Sequence, residues 1–192
     1  MGLFGKNKKE EPAKKPASGE SEFDRDIRAL LDRPDIQCRS DICEAEYQKA
    51  MGLLENPTSE TVHRAYDLMG HLAAEFEYVP AILWMGDFAE NVLHDLKQAA
   101  YWYKKAADLG DGNGSRCYAD MLMIGNGVER DVRAAMHYYA DAADKGVPEA
   151  AFVLGEYLRN AGDRENALKA YKQALVGGYA PAQIRIDQMM KG

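Results

Sequence analysis

Apolar and small residues recur along the chain at helical spacing, in three segments that match one another. The segments are 99–110, 135–146 and 167–178. Their shared positions are Tyr103, Tyr139 and Tyr171, then Ala106, Ala142 and Ala174, then Gly110, Gly146 and Gly178. The tyrosines lie 36 and then 32 residues apart. Each segment predicts the second helix of a helix pair, because small residues let a neighbouring helix approach and a terminal glycine supplies a left-handed C-cap.

A matching set of first helices precedes these segments. Residues 81–86, 115–120 and 150–155 align with one another, and weaker copies begin at Ala45 and Ala182. Pro80, Pro148 and Pro181 lie at or just before the starts, where a missing backbone N–H costs little. The pattern predicts an all-α fold, an α-solenoid of tandem antiparallel helix pairs.

The loop Gly125-Asn-Gly-Val-Glu-Arg-Asp131 is followed by Ala134-Ala135, Tyr138-Tyr139 and Ala142-Ala143. This arrangement closely resembles the Sel-one-like repeat, a relative of the tetratricopeptide repeat with a longer loop between its helices. The resemblance is best over 115–148, fair over 80–114 and 149–180, and degenerate over 45–79. It implies a right-handed superhelix whose first helices line the concave side, and a function in binding other proteins.

The predicted organisation has three parts. Residues 1–20 are expected to be a disordered basic leader, because Lys, Glu, Pro, Ser and Gly dominate them. Residues 21–44 are predicted to be an N-terminal helical cap. Residues 45–192 are predicted to be the repeat array, with 181–192 as its capping helix.

The charge and composition of the chain limit the classes of binding partner that are expected. The formal net charge is −7, and an acidic body repels phosphate backbones, so no nucleic-acid binding is expected. No window is apolar enough for a membrane helix, and membrane contact is expected only through the basic tail. The first twenty residues lack the apolar core of a secretory signal, so the predicted location is cytoplasmic.

Neither a catalytic site nor a metal or cofactor site is predicted. The three cysteines, Cys38, Cys43 and Cys117, are expected to be reduced, since an odd number argues against a disulfide framework. His63 and His71 share a helix face, but two turns separate them, too far for one ion. Cys117 and His137 have no evident orienting partner, so the chain is not expected to be an enzyme.

The phase implied by the resemblance predicts a partner-binding groove on the first helices. Its residues are Tyr47, Met51, Leu83, Asp87, Cys117, Met121, Phe152, Glu156, Arg159 and Ile184. This wall is apolar with acidic positions at Asp87 and Glu156, and suits a peptide or helix with apolar anchors and positive charge. Phe152 is the predicted anchor.

Two other functions stay open. Some secreted, cysteine-rich members of the repeat family have been described as β-lactamases, but they have cysteines paired within each repeat and an export signal, which this sequence lacks. The chain could also be a structural module that self-associates through the end near Met189 and Met190. The expected state is a monomer or a weakly self-associating protein.

Overall fold

A computed structural model describes residues 40–191, and within that range the backbone forms nine α-helices and no strands. The helices are α1 (Ser40–Leu53), α2 (Ser59–Glu75), α3 (Val79–Asn91), α4 (Leu96–Asp108), α5 (Gly112–Ile124), α6 (Val132–Asp144), α7 (Pro148–Asn160), α8 (Arg164–Val176) and α9 (Pro181–Lys191). Each helix packs mainly against its neighbours in sequence. This is the all-α solenoid of helix pairs that the sequence predicts.

Aspartate side chains begin the second helix of three pairs. Asp95 accepts hydrogen bonds from the backbone N–H groups at the start of α4, and Asp131 and Asp163 do the same for α6 and α8. These bonds satisfy backbone donors that have no partner within the helix.

Left-handed glycines follow the same helices, as the sequence predicts. Gly110, Gly146 and Gly178 have φ values of 88°, 87° and 94°. The N–H of the next residue then bonds to a carbonyl of the helix, as Val147 N does to Ala142 O at 3.0 Å. This closure returns the chain directly into the next pair.

Buried alanines and tyrosines fill the seams between helices. Tyr103 and Tyr171 are almost fully buried, and each ring lies on a glycine of the preceding helix. A Cβ atom added to Gly86 would lie 2.5 Å from the Tyr103 ring, and one added to Gly155 would lie 2.7 Å from the Tyr171 ring. The close approach of these helices therefore depends on both partners of each contact.

The loop between α5 and α6 packs against the preceding pair. Gly125 and Gly127 have φ values of 89° and 68°. A Cβ atom on Gly127 would lie only 2.0 Å from the carbonyl oxygen of Leu96, at the start of α4. The two glycines thus shape the loop between α5 and α6 and let it approach the start of α4.

The N-terminal part of the array begins with α1 and α2. Thr58 caps α2 and forms a reciprocal capping box with Thr61. The predicted limit between the cap and the array, at 44/45, lies inside α1. The predicted basic leader 1–20 and the remainder of the cap up to residue 39 lie outside the described residues.

The prediction for the cysteines is wrong at Cys43, which is buried and disulfide-bonded. Its partner lies outside the described residues. The argument from an odd count fails because two of three cysteines can pair while the third stays free. Cys117 is that free cysteine.

Candidate functional site

A pocket of about 210 Å³ opens between the first helices α3 and α5. It is lined by Asp87, Glu90, Tyr103, Arg116, Cys117, Asp120, Met121, Ile124 and Asn126. We call this the acidic pocket, because three carboxylates face one guanidinium and leave a formal charge of −2.

Hydrogen bonds from buried tyrosines orient these carboxylates. The Tyr103 hydroxyl lies 2.6 Å from Asp87 Oδ1 and 3.0 Å from Glu90 Oε2. Asp120 accepts a hydrogen bond from the Tyr139 hydroxyl. Its Oδ2 atom also forms an ion pair with Arg116 Nη1 at 2.8 Å. A carboxylate can accept about four hydrogen bonds, so these groups keep acceptor positions for a ligand.

The tyrosine–carboxylate bond recurs in the pair formed by α7 and α8, where the Tyr171 hydroxyl lies 2.7 Å from Glu156 Oε1. Asp87, Asp120 and Glu156 each lie four residues before the last residue of their helix. Burial, followed by these hydrogen bonds, raises the pKa of Tyr103 and Tyr139 well above the usual value and that of Tyr171 to about 12. The hydroxyl groups therefore remain donors throughout the neutral range.

A second pocket, of about 350 Å³, lies beside α9. We call it the arginine pocket; it is lined by Arg159, Gly162, Arg164, Arg185, Gln188 and Met189. Glu156 lies at its side and pairs with Arg159 at 2.9 Å and with Arg185 at 2.6 Å. Burial alone would raise the pKa of Glu156, but the bonds from Tyr171 and Arg185 and the nearby guanidinium charges hold it below its usual value.

Comparison with known families identifies the repeat unit. Residues 80–111 and 118–147 match the family model of the Sel1 repeat. The resemblance to the Sel-one-like repeat is confirmed at these two segments. The first matched segment contains α4 and nearly all of α3, and the second contains α6 and the part of α5 from residue 118 onward.

Solved structures share the fold. The crystal structure of a Sel1 repeat protein from Oxalobacter formigenes is similar over 74% of this chain and 61% of that chain, with a TM-score of 0.65 and 26% identity. A protective antigen present in uropathogenic Escherichia coli strains, which displays an SLR fold, is similar over 77% of this chain and 33% of that chain, with a TM-score of 0.65 and 22% identity.

A relative in sequence is an uncharacterized protein of Neisseria meningitidis serogroup B. It is 30% identical over 110 residues, which are 55% of this chain and 23% of that protein. The chain thus spans less than two thirds of each of these three relatives.

The structure places α5 in a register that differs by one residue from the sequence alignment, whereas α3 and α7 keep the aligned register. The helices α3, α5 and α7 have 13 residues each, and counting from their starts sets Arg116 and Asp120 beside Leu83 and Asp87. The sequence alignment instead predicts Cys117 and Met121 at the positions that correspond to Leu83 and Asp87. All four of these α5 residues line the acidic pocket, where Met121, with 3% of its surface exposed, forms part of the buried wall.

Phe152 and Glu156 have partners within the array that the sequence did not reveal. The centroid of the Phe152 ring lies 5.6 Å from that of the Tyr171 ring and 5.0 Å from that of the Tyr179 ring. These ring contacts give Phe152 a role in packing the array, whether or not it also contacts a partner. Glu156 is paired with two arginines, so it does not present a free negative charge.

The remaining predicted groove residues are spread along the array. Tyr47 packs edge-on against Tyr78, and Leu83 packs against the core of the second pair. Met51 and Ile184 are exposed, and Arg159 lines the arginine pocket. Near the end of the array Met189 is buried and Met190 is exposed. Partner binding by this set stays a prediction.

Candidate chemistry elsewhere is limited in the part of the chain that the structure describes. No group of three His, Cys, Asp or Glu residues there could hold a metal ion, and no helix there is long and apolar enough to cross a membrane. Burial raises the pKa of the Cys117 thiol to about 11, although Arg116 acts to lower it. The thiol is therefore protonated at neutral pH and is a poor nucleophile.

Proposed function

We propose that this chain is a non-catalytic adaptor that binds a protein or peptide partner through its first helices, on the concave side of the Sel1 array. Sel1 repeats commonly mediate protein–protein interaction. The acidic pocket is the observation that carries the proposal further, since it specifies the chemistry of the partner. A lysine or arginine side chain of the partner enters the pocket and meets Asp87, Glu90 and Asp120.

The pocket suits a cationic side chain for two physical reasons. First, the Tyr103 and Tyr139 hydroxyl groups hold Asp87 and Asp120, so little side-chain entropy is lost at these two carboxylates when a ligand binds. Second, apolar atoms of Met121 and Ile124 also line the pocket, and they can contact the methylene groups of a lysine or arginine. Direct charge-assisted hydrogen bonds of this kind contribute about 1.5–3 kcal/mol each.

The test uses purified protein on an array of peptides in which each lysine or arginine is paired with a glutamine variant. We expect binding to the basic members of the pairs, with affinity measured by calorimetry. The variant Asp87→Asn with Asp120→Asn should weaken binding by about tenfold or more, because the amides still accept from tyrosine but carry no charge. Binding should also weaken as salt concentration rises.

The matched control is Glu129→Gln, which removes an exposed negative charge outside the acidic pocket. It should bind the basic peptides like the unmodified protein. Equal binding to the basic and the glutamine peptides would contradict the proposal, as would equal affinity in the doubly substituted variant.

The compartment can be tested through Cys43. A cytoplasmic location remains our prediction from the composition of the first twenty residues, whereas the disulfide at Cys43 favours an oxidising compartment. Alkylation of thiols at the moment of cell lysis, followed by mass spectrometry, separates the two. A cytoplasmic protein gives three labelled cysteines, and a single label would contradict the cytoplasmic prediction.

A further inference from the structure

Three guanidinium groups from three different helices line the arginine pocket. Arg159 comes from the end of α7, Arg164 from the start of α8 and Arg185 from α9. The formal net charge of the chain is −7, so a local accumulation of positive charge runs against its overall balance. Arg159 and Arg164 lie on either side of the short loop between α7 and α8, and the packing of α9 brings Arg185 to them.

Glu156 compensates only part of this charge. It is the one carboxylate among the described residues that forms an ion pair with any of the three arginines. Arg164 donates to the backbone carbonyl of Met189 and forms no ion pair with a described residue. Three positive charges against one negative charge leave the pocket at a formal +2.

Donor capacity also remains. A guanidinium carries five N–H donors. Arg159 uses an Nη2 donor for Glu156, and Arg185 uses Nε for Glu156 and Nη1 for Gln188. Arg164 uses an Nη2 donor for the carbonyl of Met189. Several N–H groups of the three side chains are therefore available to a ligand in a cavity of about 350 Å³.

We propose that Arg159, Arg164 and Arg185 form a binding site for an oxyanion, a carboxylate or phosphate group carried by a ligand of this protein. The planar fork of arginine matches the paired oxygens of these groups and can bind them with two parallel hydrogen bonds. The ligand supplies the negative charge that Glu156 leaves uncompensated. This site is separate from the acidic pocket and does not depend on the function proposed for it.

The test follows the arginine Nε–Hε signals of the intact protein by two-dimensional NMR during titration with inorganic phosphate. Sodium chloride is adjusted to hold the ionic strength constant. We expect saturable shifts at Arg159, Arg164 and Arg185. Arg164→Gln should weaken the binding at least tenfold, while Lys172→Gln, an exposed change on the same helix outside the pocket, should leave it unchanged.

A parallel titration with acetate distinguishes the source of the oxyanion. Saturation by phosphate alone assigns a phosphate group as the ligand, and saturation by both assigns the wider class that includes carboxylates. Arg159→Gln provides a second variant, since Arg159 is exposed and Arg164→Gln could disturb the contact with α9. Linear shifts without saturation in both titrations would overturn the proposal, as would unchanged affinity in both arginine variants.

Discussion

Replacing Gly127 with alanine should lower the free energy of unfolding by about 2–5 kcal/mol. An alanine at a positive φ costs about 1–2 kcal/mol, and φ is 68° at this position. The new Cβ atom would also lie 2.0 Å from the Leu96 carbonyl oxygen. Because the obstacle is backbone, relief requires moving the start of α4, which adds about 1–3 kcal/mol. Urea unfolding followed by circular dichroism measures the loss.

Gly146→Ala is the matched control for this substitution. Gly146 has a φ of 87°, but no atom lies within 4 Å of the position where its Cβ would stand. The free energy of unfolding of Gly146→Ala should therefore fall only by the cost of alanine at a positive φ, about 1–2 kcal/mol. The difference between the two variants isolates the contact between the loop and α4. Equal losses would show that the Gly125–Gly127 loop does not press on the preceding pair.

Raising the pH from 10 towards 12 should unfold the protein progressively. Tyrosine in the unfolded chain loses its proton near pH 10, whereas the buried hydroxyls of Tyr103, Tyr139 and Tyr171 have raised pKa values in the folded state. The unfolded state then binds fewer protons than the folded state, so stability falls as pH rises. Each such tyrosine contributes up to about 1.4 kcal/mol per pH unit in that window, and none of this loss occurs below pH 10.

Single tyrosine-to-phenylalanine variants test this mechanism. Tyr171→Phe keeps the buried ring, loses the bond to Glu156, and should cost about 1 kcal/mol at neutral pH. It should also reduce the slope of stability against pH above 10. Tyr101, which is 60% exposed, supplies the control, and Tyr101→Phe should leave the slope unchanged. A slope that is the same in all variants would mean that these hydroxyls do not drive the alkaline transition.

The second helices could be predicted from the sequence because their signals are local. Tyr103, Tyr139 and Tyr171 recur with alanines and glycines at constant offsets, and the structure has them as buried members of α4, α6 and α8. Capping follows the same logic, since an aspartate or glycine acts on backbone groups a few residues away.

The register of α5 could not be predicted in the same way. The alignment set Ser115 beside Ala81, whereas the helix starts place Gly114 there. Gly114 occupies this position because a Cβ atom would lie 2.5 Å from that of Ala106. The loop to the second helix also changes length, from 92–95 in one pair to 125–131 in the next. Because the number of residues between the first and second helix varies from pair to pair, counting back from the second helix does not reveal a one-residue shift of α5.

The electrostatics of the site depend on contacts between distant residues, which a single sequence does not reveal. The sequence predicts Glu156 as an acidic groove position. In the structure it pairs with Arg185 of α9, which lies 29 residues further along the chain. The acidic pocket has the same origin, because Asp87 and Asp120 belong to different helix pairs and only their packing brings them together. Sequence patterns gave the helices that carry these groups without giving the charge of the surface.

Packing between sequential neighbours makes the two pockets physically independent of each other. The acidic pocket is built from α3, α4, α5 and the loop after α5, and the arginine pocket from α7, α8, α9 and the loop between α7 and α8. They share no residue, and α6 stands between the helices that form them. Mutations at sites with no shared partner combine additively. A substitution that reverses the charge of one pocket should therefore leave ligand binding at the other unchanged.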